Sequence, residues 1–268
     1  MAAGIFGFIF YIFSLIWSLI VALIGRIYCW IWFNILSVNM VKYDKRIEEH
    51  KLELFADLAD FKEDTEVYPI TPVVQQSRSP SRRKQQTAVD DKFTILEIGV
   101  GWGGNFRYFP EGSDIIAVEP TFPKERFAEY LAMIHSHGHG VQISKVVATD
   151  PEDLSQVETE TADVVVCTKV LSNVRNVDQV LQEIRRVLKT GGRFYFMEHV
   201  FQPERSFTHY TQRLLNPLQV KFGDNCHLTR ETWKNIDKAG FAEVRYKRFS
   251  AYKMPSIIRP HLMGTATK

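Results

Sequence analysis

Residues 180–196 read VLQEIRRVLKTGGRFYF, and this stretch decides the fold. Apolar residues recur between positions 177 and 188 at the spacing of one helical face. Thr190-Gly191-Gly192 then predicts a helix end with a glycine C-cap. Residues 193–197 (RFYFM) form an apolar and aromatic run of strand length. We therefore expect a helix over 176–189 that leads into a buried strand, the repeating unit of an α/β domain.

An earlier strand ends in a cluster of glycines. Residues 93–98 (FTILEI) predict a buried strand, and residues 99–104 (GVGWGG) follow it as a glycine-rich turn. Glycines let the chain turn tightly and let a ligand approach main-chain amides at a helix N-terminus. The G-x-G-x-x-G spacing occurs in loops that bind dinucleotides and also in loops that bind S-adenosylmethionine, so the loop alone leaves both open. It marks the end of the domain that binds a nucleotide.

Three further strands are predicted, and each ends in residues of a ligand site. Residues 114–118 (DIIAV) end at Glu119, whose carboxylate is placed to accept both hydroxyls of a ribose. Residues 141–148 lead to Asp150 and Pro151. Residues 163–168 (DVVVCT) are continuously apolar, which is typical of a central parallel strand covered on both faces. Since ligands of open α/β sheets bind outside the carboxyl ends of the strands, these residues should share one edge.

The N-terminus has the composition of a membrane anchor. From position 4 to 25 the sequence carries no charge, and a helix of this length spans ~33 Å, about the thickness of a bilayer core. A cleaved signal peptide is the alternative, but the run is long, has no charge before it and lacks a small-residue cleavage site. Arg26, Lys42, Lys45 and Arg46 follow the run, which predicts that the rest of the chain lies on the cytosolic side.

The remaining sequence divides at changes of composition. We assign residues 1–40 to the anchor and residues 41–61 to an amphipathic helix, in which Asp44 is a plausible cap and Ile47, Leu54, Leu58 and Phe61 form the apolar face. This helix should pack on the folded domain or lie on a membrane. Residues 62–92 are rich in polar residues and proline and predict a flexible linker. Residues 93–268 form the folded domain.

Composition excludes some classes of function. The formal net charge of +2 gives no general reason to expect nucleic-acid binding. The three cysteines lack metal-ligand spacing, and His135, His137 and His139 lie in a glycine-containing stretch that favours a solvated turn. We therefore expect no metal site. The sequence does not indicate an oligomeric state.

A helix that ends in R-V-L-K-x-G-G before the fifth strand resembles the class I methyltransferases, as does the E-x-G-x-G pattern that begins at Glu97. The resemblance implies a Rossmann-like α/β fold, with a seven-stranded, mostly parallel sheet and helices on both faces. It implies S-adenosylmethionine as the cofactor. In such a site Asp150, with Glu152 as alternate, would meet the adenine amino group, and the end of the 163–168 strand would lie over the reacting methyl group. The cofactor-binding residues that it implies are Glu97, Gly99, Gly101, Gly103, Asn105, Glu119, Asp150, Pro151, Cys167 and Thr168.

A narrower resemblance covers about residues 44–268. LEIGVGWGGNF, DVVVCTKVL, MEHV, HLTRETWK and the terminal PHLMGTATK are together similar to the membrane-anchored methyltransferase-like family seven, the alkyl thiol methyltransferases. The resemblance implies S-methylation of small lipophilic thiols at endoplasmic reticulum or lipid-droplet membranes, with the lipid bound through the anchor. Val100 and Trp102 depart from the G-C-G-T-G loop expected of the family, so Trp102 could narrow the pocket. Oxygen or nitrogen acceptors, or a non-catalytic membrane protein that retains the fold, remain alternatives. A nicotinamide oxidoreductase has only the glycine spacing in its favour.

Methyl transfer requires mainly that the acceptor and the methyl group be held in line. A thiol acceptor reacts as its thiolate, and a positive field or one base is sufficient to form it. Glu198 and His199 directly follow the fifth strand and should reach the edge that carries the ligand. They are our candidate catalytic residues, with His199 as the base and Glu198 as its orienting partner.

Overall fold

The computed structural model describes residues 2–31, 40–67, 92–120, 132, 140–252 and 254–268. The helices are α1 (Ala2–Ile31), α2 (Met40–Arg46), α3 (Glu48–Leu54), α4 (Leu58–Val67), α5 (Val177–Val187), α6 (Phe207–Phe222) and α7 (Thr232–Lys238). The strands are β1 (Thr94–Ile98), β2 (Asp114–Val118), β3 (Gln142–Val147), β4 (Ala162–Thr168), β5 (Leu188–His199), β6 (Glu243–Ser250) and β7 (Pro260–Thr267). Short 3₁₀ helices cover Phe106–Tyr108 and Ser256–Ile258.

The strands form one seven-stranded sheet in the order β3-β2-β1-β4-β5-β7-β6. Strands β1 to β5 are parallel, and β7 is antiparallel to both β5 and β6. The chain order reverses between β1 and β4, so their carboxyl ends border the crevice where α/β sheets bind ligands. The predicted Rossmann-like class I methyltransferase fold, with its mostly parallel sheet, is confirmed.

Two apolar cores lie on opposite faces of the sheet, because alternate residues of a strand point to opposite sides. On the first face, Leu96, Val165 and Phe196 pack under α5 and α7. On the second face, Ile95 and Val166 pack under α2, α3 and α4. The N-terminal helices therefore supply one of the two helical layers that cover the sheet.

The segment that follows the anchor differs from the single predicted helix. Three short helices replace it, with breaks at Ile47 and at residues 55–57. The predicted apolar face is nevertheless buried: Ile47 and Leu58 are fully covered, and the exposed fractions of Leu54 and Phe61 are 5% and 7%. The breaks allow successive turns to follow the twisted sheet. Asp44 is not a cap, because it lies inside α2. Helix α4 continues to Val67, so residues 62–67 are helical, and residues 68–91 of the predicted linker lie outside the described residues.

The junction around Thr190-Gly191-Gly192 also differs from the prediction. Helix α5 has Leu188, in an extended conformation, as its C-cap rather than a glycine. The glycines belong to the irregular first part of β5, where Gly191 has φ of +83°. A Cβ atom on Gly192 would lie 2.9 Å from the carbonyl oxygen of Asp163, so a close backbone approach requires this glycine. The strand that follows pairs with β4 over residues 193–197, as expected.

Helix α1 is 30 residues long and packs on α6, where Gly25 meets the ring of Phe222. The structure describes its side chains at residues 11–23 and 25–27. Among the described residues no helix meets the combined length and hydropathy of a membrane span. The predicted anchor is therefore not confirmed.

Candidate active site

The glycine loop follows β1 and adopts backbone conformations that other residues rarely take. Gly99, Gly101 and Gly103 have φ values of +73°, +51° and +70°. A Cβ atom on Gly99 would lie 2.3 Å from Val170 Cγ2, so the loop is packed closely against the segment after β4. A Cβ atom on Gly101 would meet no heavy atom within 4 Å, so this glycine borders open space. The loop leads into a single 3₁₀ turn, Phe106–Tyr108, that ends before Pro110.

Glu97, Asn105 and Thr168 form a buried polar cluster behind this loop. Asn105 Nδ2 donates hydrogen bonds to Glu97 Oε1 at 2.7 Å and to Thr168 Oγ1 at 3.0 Å. Glu97 Oε2 and Asn105 Oδ1 are buried and have no hydrogen-bond partner among the described residues. Burial raises the pKa of Glu97 to about 8, against the opposing effect of the Asn105 hydrogen bond. Two buried acceptors without a donor indicate a ligand that carries N–H groups.

The carboxyl ends of β2 and β3 carry the other predicted cofactor residues. Glu119 follows β2, and its Oε2 accepts a hydrogen bond of 3.0 Å from the Gly101 amide. This bond fixes a carboxylate at the edge of the glycine loop. Asp150 is exposed and Pro151 is buried beside it. Glu152 accepts hydrogen bonds from the Arg175 and Asn176 amides before α5, so Asp150 is the better placed of the two for an adenine.

The end of β4 brings Cys167, Thr168 and Lys169 to the same edge. Cys167 is packed in the first core, and burial raises the pKa of its thiol well above the usual range. Its predicted cofactor contact stays a prediction. Lys169 has φ of +63°, a left-handed conformation that is costly for a residue with a side chain and is typical of functional sites.

Helices α2 and α3 close over this edge with Asp44 and Lys51, which the sequence did not assign to the ligand site. Asp44 Oδ1 accepts from Lys169 Nζ at 2.7 Å and lies 3.4 Å from Lys51 Nζ. Its other oxygen would lie 3.2 Å from a Cβ atom on Gly104, so the cluster sits on the glycine loop. Burial alone would raise the pKa of Asp44, but the two lysines outweigh it and hold the pKa below its usual value. Burial and the neighbouring Lys169 lower the pKa of Lys51 to about 8.

One signal could have identified Lys51. Its position is four residues after Ile47 and three before Leu54, which places a lysine on the buried face of a helical pattern. A charged residue there needs a specific partner.

Aromatic side chains cover the same cluster. Lys169 Nζ lies 4.8 Å from the centroid of the Tyr43 ring. The Tyr43 hydroxyl lies 2.5 Å from His261 Nε2, and His261 Nδ1 is 2.9 Å from the Arg259 carbonyl oxygen. Because a carbonyl can only accept, Nδ1 carries the proton and Tyr43 donates to Nε2. Burial lowers the pKa of His261 to about 4, so this pair is neutral and forms a largely apolar wall.

Glu198 and His199 lie at the end of β5, but both face protein groups. The Glu198 carboxylate accepts three backbone N–H groups, from Val170, Leu171 and Ser172, at 2.8 to 3.3 Å. It therefore fixes the segment that follows Lys169. His199 Nε2 lies 3.2 Å from Cys226 Sγ, and burial lowers the pKa of His199 to about 3. A group with this pKa is poorly matched to a thiol near pKa ~8.5, so its role as a base stays a prediction.

Trp102 is largely exposed, with an exposed fraction of 73%. That it narrows the pocket stays a prediction. The three histidines at 135, 137 and 139 lie outside the described residues. Within the described ranges no group of histidine, cysteine and acidic residues has the arrangement of a metal site.

The fold and this edge define a class I methyltransferase, and sequence comparisons agree. The general methyltransferase-domain family matches residues 96–196. The human thiol S-methyltransferase TMT1A is 32% identical over 241 residues, which cover 90% of this chain and 87% of the relative. The thiol S-methyltransferase TMT1B of Rattus norvegicus is 34% identical over 228 residues, which cover 84% of this chain and 80% of the relative. Human TMT1B is 36% identical over 188 residues, which cover 70% of this chain and 76% of the relative.

The chain therefore belongs to the thiol S-methyltransferase family of TMT1A and TMT1B. Its cofactor is S-adenosylmethionine, and the residues present fit this molecule. The unpaired oxygens of Glu97 and Asn105 would accept from an ammonium group, and the glycine loop would allow close approach of the ligand. Glu119 would hold the ribose hydroxyls, and Asp150 would meet the adenine.

Proposed function

We propose that this protein transfers a methyl group from S-adenosylmethionine to small lipophilic thiols. The observation that carries the proposal is the ammonium group of Lys169, held beside an aromatic wall at the carboxyl end of the central strand β4. A positive charge there favours the thiolate form of an acceptor, and the apolar wall favours a lipophilic one. The family membership supports the choice of sulfur as the acceptor atom.

Each group at the site has a distinct part in this function. When bound, S-adenosylmethionine supplies an electrophilic methyl group on a positively charged sulfur. Lys169 stabilises the thiolate of the acceptor, so that its proton leaves to solvent before transfer. Tyr43 and His261 exclude water from the acceptor side, which strengthens the field of Lys169. Glu198 acts as a positioning residue, because it orders residues 170–172 next to Lys169.

A labelled-methyl assay on the purified full-length chain tests the proposal. The acceptors should include thiols, phenols and amines of similar size and hydrophobicity. We expect transfer to thiols, with a rate that rises as the thiol is ionised. Transfer confined to oxygen or nitrogen acceptors would reject sulfur as the acceptor atom. Binding of S-adenosylhomocysteine without transfer to any acceptor would favour the non-catalytic alternative.

We further propose that the chain is anchored at endoplasmic reticulum or lipid-droplet membranes, with its catalytic domain on the cytosolic side. Large apolar side chains of α1 are exposed around the helix; Phe13, Trp17 and Leu19, for example, are exposed by 69%, 68% and 64%. A helix that is apolar on all sides requires an apolar environment.

Helix α6 supports the same placement. Phe207, Tyr210 and Leu214 lie along one side of it and are 78%, 56% and 75% exposed, whereas Gln212 and Gln219 are fully buried. This helix therefore buries amide side chains and exposes large apolar side chains along one side, which is unusual for a soluble amphipathic helix. Its C-terminal residue Phe222 packs on α1. One lipid surface would cover both helices.

A further inference from the structure

Lys51 is a buried cation without a role in the transfer described above. Its exposed fraction is 1%, and it lies on α3, while its partner Asp44 sits against Gly104 of the glycine loop. Asp44 Oδ1 is 3.4 Å from its ammonium nitrogen and 2.7 Å from that of Lys169. Two ammonium groups thus share one carboxylate, which leaves the cluster with a net positive charge. Such a cluster can accept a second carboxylate.

The buried carboxyl group of Glu97 is close to Lys51. The two groups influence each other's pKa: Glu97 raises that of Lys51, and Lys51 lowers that of Glu97. Glu97 Oε2 and Asn105 Oδ1 are buried acceptors that lack a donor among the described residues. One side of this region thus offers acceptors for an ammonium group, and the other side offers a donor for a carboxylate. An α-amino acid group has both charges on one carbon atom.

We propose that Lys51 binds the α-carboxylate of the methionine part of S-adenosylmethionine, while Glu97 and Asn105 accept hydrogen bonds from its α-ammonium group. The inference rests on the proposed function. It makes α3, which precedes the glycine loop by about 50 residues of chain, a part of the cofactor site. Lys51 and Lys169 then have separate tasks, the first toward the cofactor and the second toward the acceptor.

Calorimetric binding to two ligands tests this assignment without turnover. The ligands are S-adenosylmethionine and decarboxylated S-adenosylmethionine, which share the sulfonium, the adenosine and the amine and differ in the carboxylate. The full-length protein should bind the first about tenfold to a hundredfold more tightly, as expected for a hydrogen bond between charged groups. Equal affinities would overturn the proposal. Failure to bind either ligand, or S-adenosylhomocysteine, would instead reject the proposed function.

Two lysine variants, one of a residue on α3 and one of a residue on β6 that pairs with α3, make the test specific. Lys51→Met should bring the ratio of the two affinities close to one, mainly by weakening S-adenosylmethionine. Lys247→Met is the matched control, because Lys247 pairs with Glu53 of α3 outside the pocket and is 48% exposed. It should keep the ratio of the unaltered protein. If Lys51→Met weakens both ligands equally, Lys51 has only a structural role and the proposal is wrong. A variant that fails to fold leaves the comparison of ligands on the unaltered protein as the deciding test.

Discussion

Lys169, directly after β4, places its ammonium nitrogen 2.7 Å from the Oδ1 atom of Asp44 on α2. These residues are 125 positions apart in the chain. Their ion pair joins the N-terminal helices to the strand end at which the acceptor is proposed to bind. The region before the glycine loop is therefore a wall of the active site and a layer of the fold.

The first prediction concerns the charge of Lys169. Lys169→Met should shift the rising limb of log kcat against pH upward by roughly one pH unit, because an adjacent positive charge lowers the pKa of a bound thiol and kcat reports the pKa values of the enzyme–substrate complex. The profile should be measured with a thiol of ordinary pKa, and Lys247→Met should leave it unchanged. An unchanged limb in Lys169→Met would contradict the proposed stabilisation of the thiolate.

The second prediction concerns protons released on cofactor binding. Glu97 has a pKa raised to about 8 by burial, so it is mostly protonated at pH 7. An ammonium group beside it should lower this pKa, and about one proton should leave when S-adenosylmethionine binds. Calorimetry at pH 7 in buffers of different ionisation enthalpy measures this number. In Glu97→Gln the release should disappear. Equal release by both proteins would show that another group titrates.

The third prediction uses His199 as a probe of acid stability. Its folded-state pKa of about 3 is below the ordinary value near 6.5, so the unfolded chain binds a proton first as the pH falls. The contribution of neutral His199 to the free energy of unfolding is complete above about pH 6.5. It should be lost toward pH 3, at up to ~1.4 kcal/mol per pH unit. The free energy of unfolding, measured with urea between pH 7.5 and 4.5, should fall less steeply with decreasing pH in His199→Gln than in the unaltered protein. Parallel slopes would contradict the buried, neutral histidine.

The fourth prediction tests whether His199 acts as the base. If Lys169 stabilises the thiolate, kcat of His199→Gln at pH 8 should stay within about tenfold of the unaltered protein. A positioned general base contributes ~100-fold or more, so a loss of that size would establish His199 as the base. Thermal unfolding of the same sample distinguishes lost activity from lost fold.

The fifth prediction concerns the apolar side of α6. Leu214→Glu should raise KM for a lipophilic thiol presented in lipid vesicles, because a charge on this side opposes contact with lipid. KM for a water-soluble thiol should not change. Tyr252→Glu is the matched control, since Tyr252 is 80% exposed and is not a residue of α6. Equal effects on both thiols would place Leu214 outside a lipid contact.

Local patterns predicted the sheet well. The apolar runs at 114–118 and 163–168 became β2 and β4, because a buried parallel strand needs apolar side chains on both faces. The glycine loop was evident for a similar local reason, since its left-handed conformations require glycine.

The breaks in the N-terminal helices and the partners of Lys51 were not predictable in this way. Residues 44–61 contain neither glycine nor proline, so nothing local signals that the helix is interrupted. The meeting of Asp44, Lys51 and Lys169 depends on tertiary packing over more than 100 residues. His199 shows the opposite case: its position at the strand end was correct, but its burial against Cys226 could not be read from sequence.

The most direct test of methyl transfer to sulfur is a competition between two acceptors for one labelled methyl group. The full-length protein is incubated with methyl-labelled S-adenosylmethionine and equal amounts of a lipophilic thiol and its oxygen analogue, and the products are separated by mass. We expect the label on sulfur, and we expect Lys169→Met to reduce this product most at low pH. Label on the oxygen analogue alone, or no methylated product from a protein that binds the cofactor, would contradict methyl transfer to sulfur.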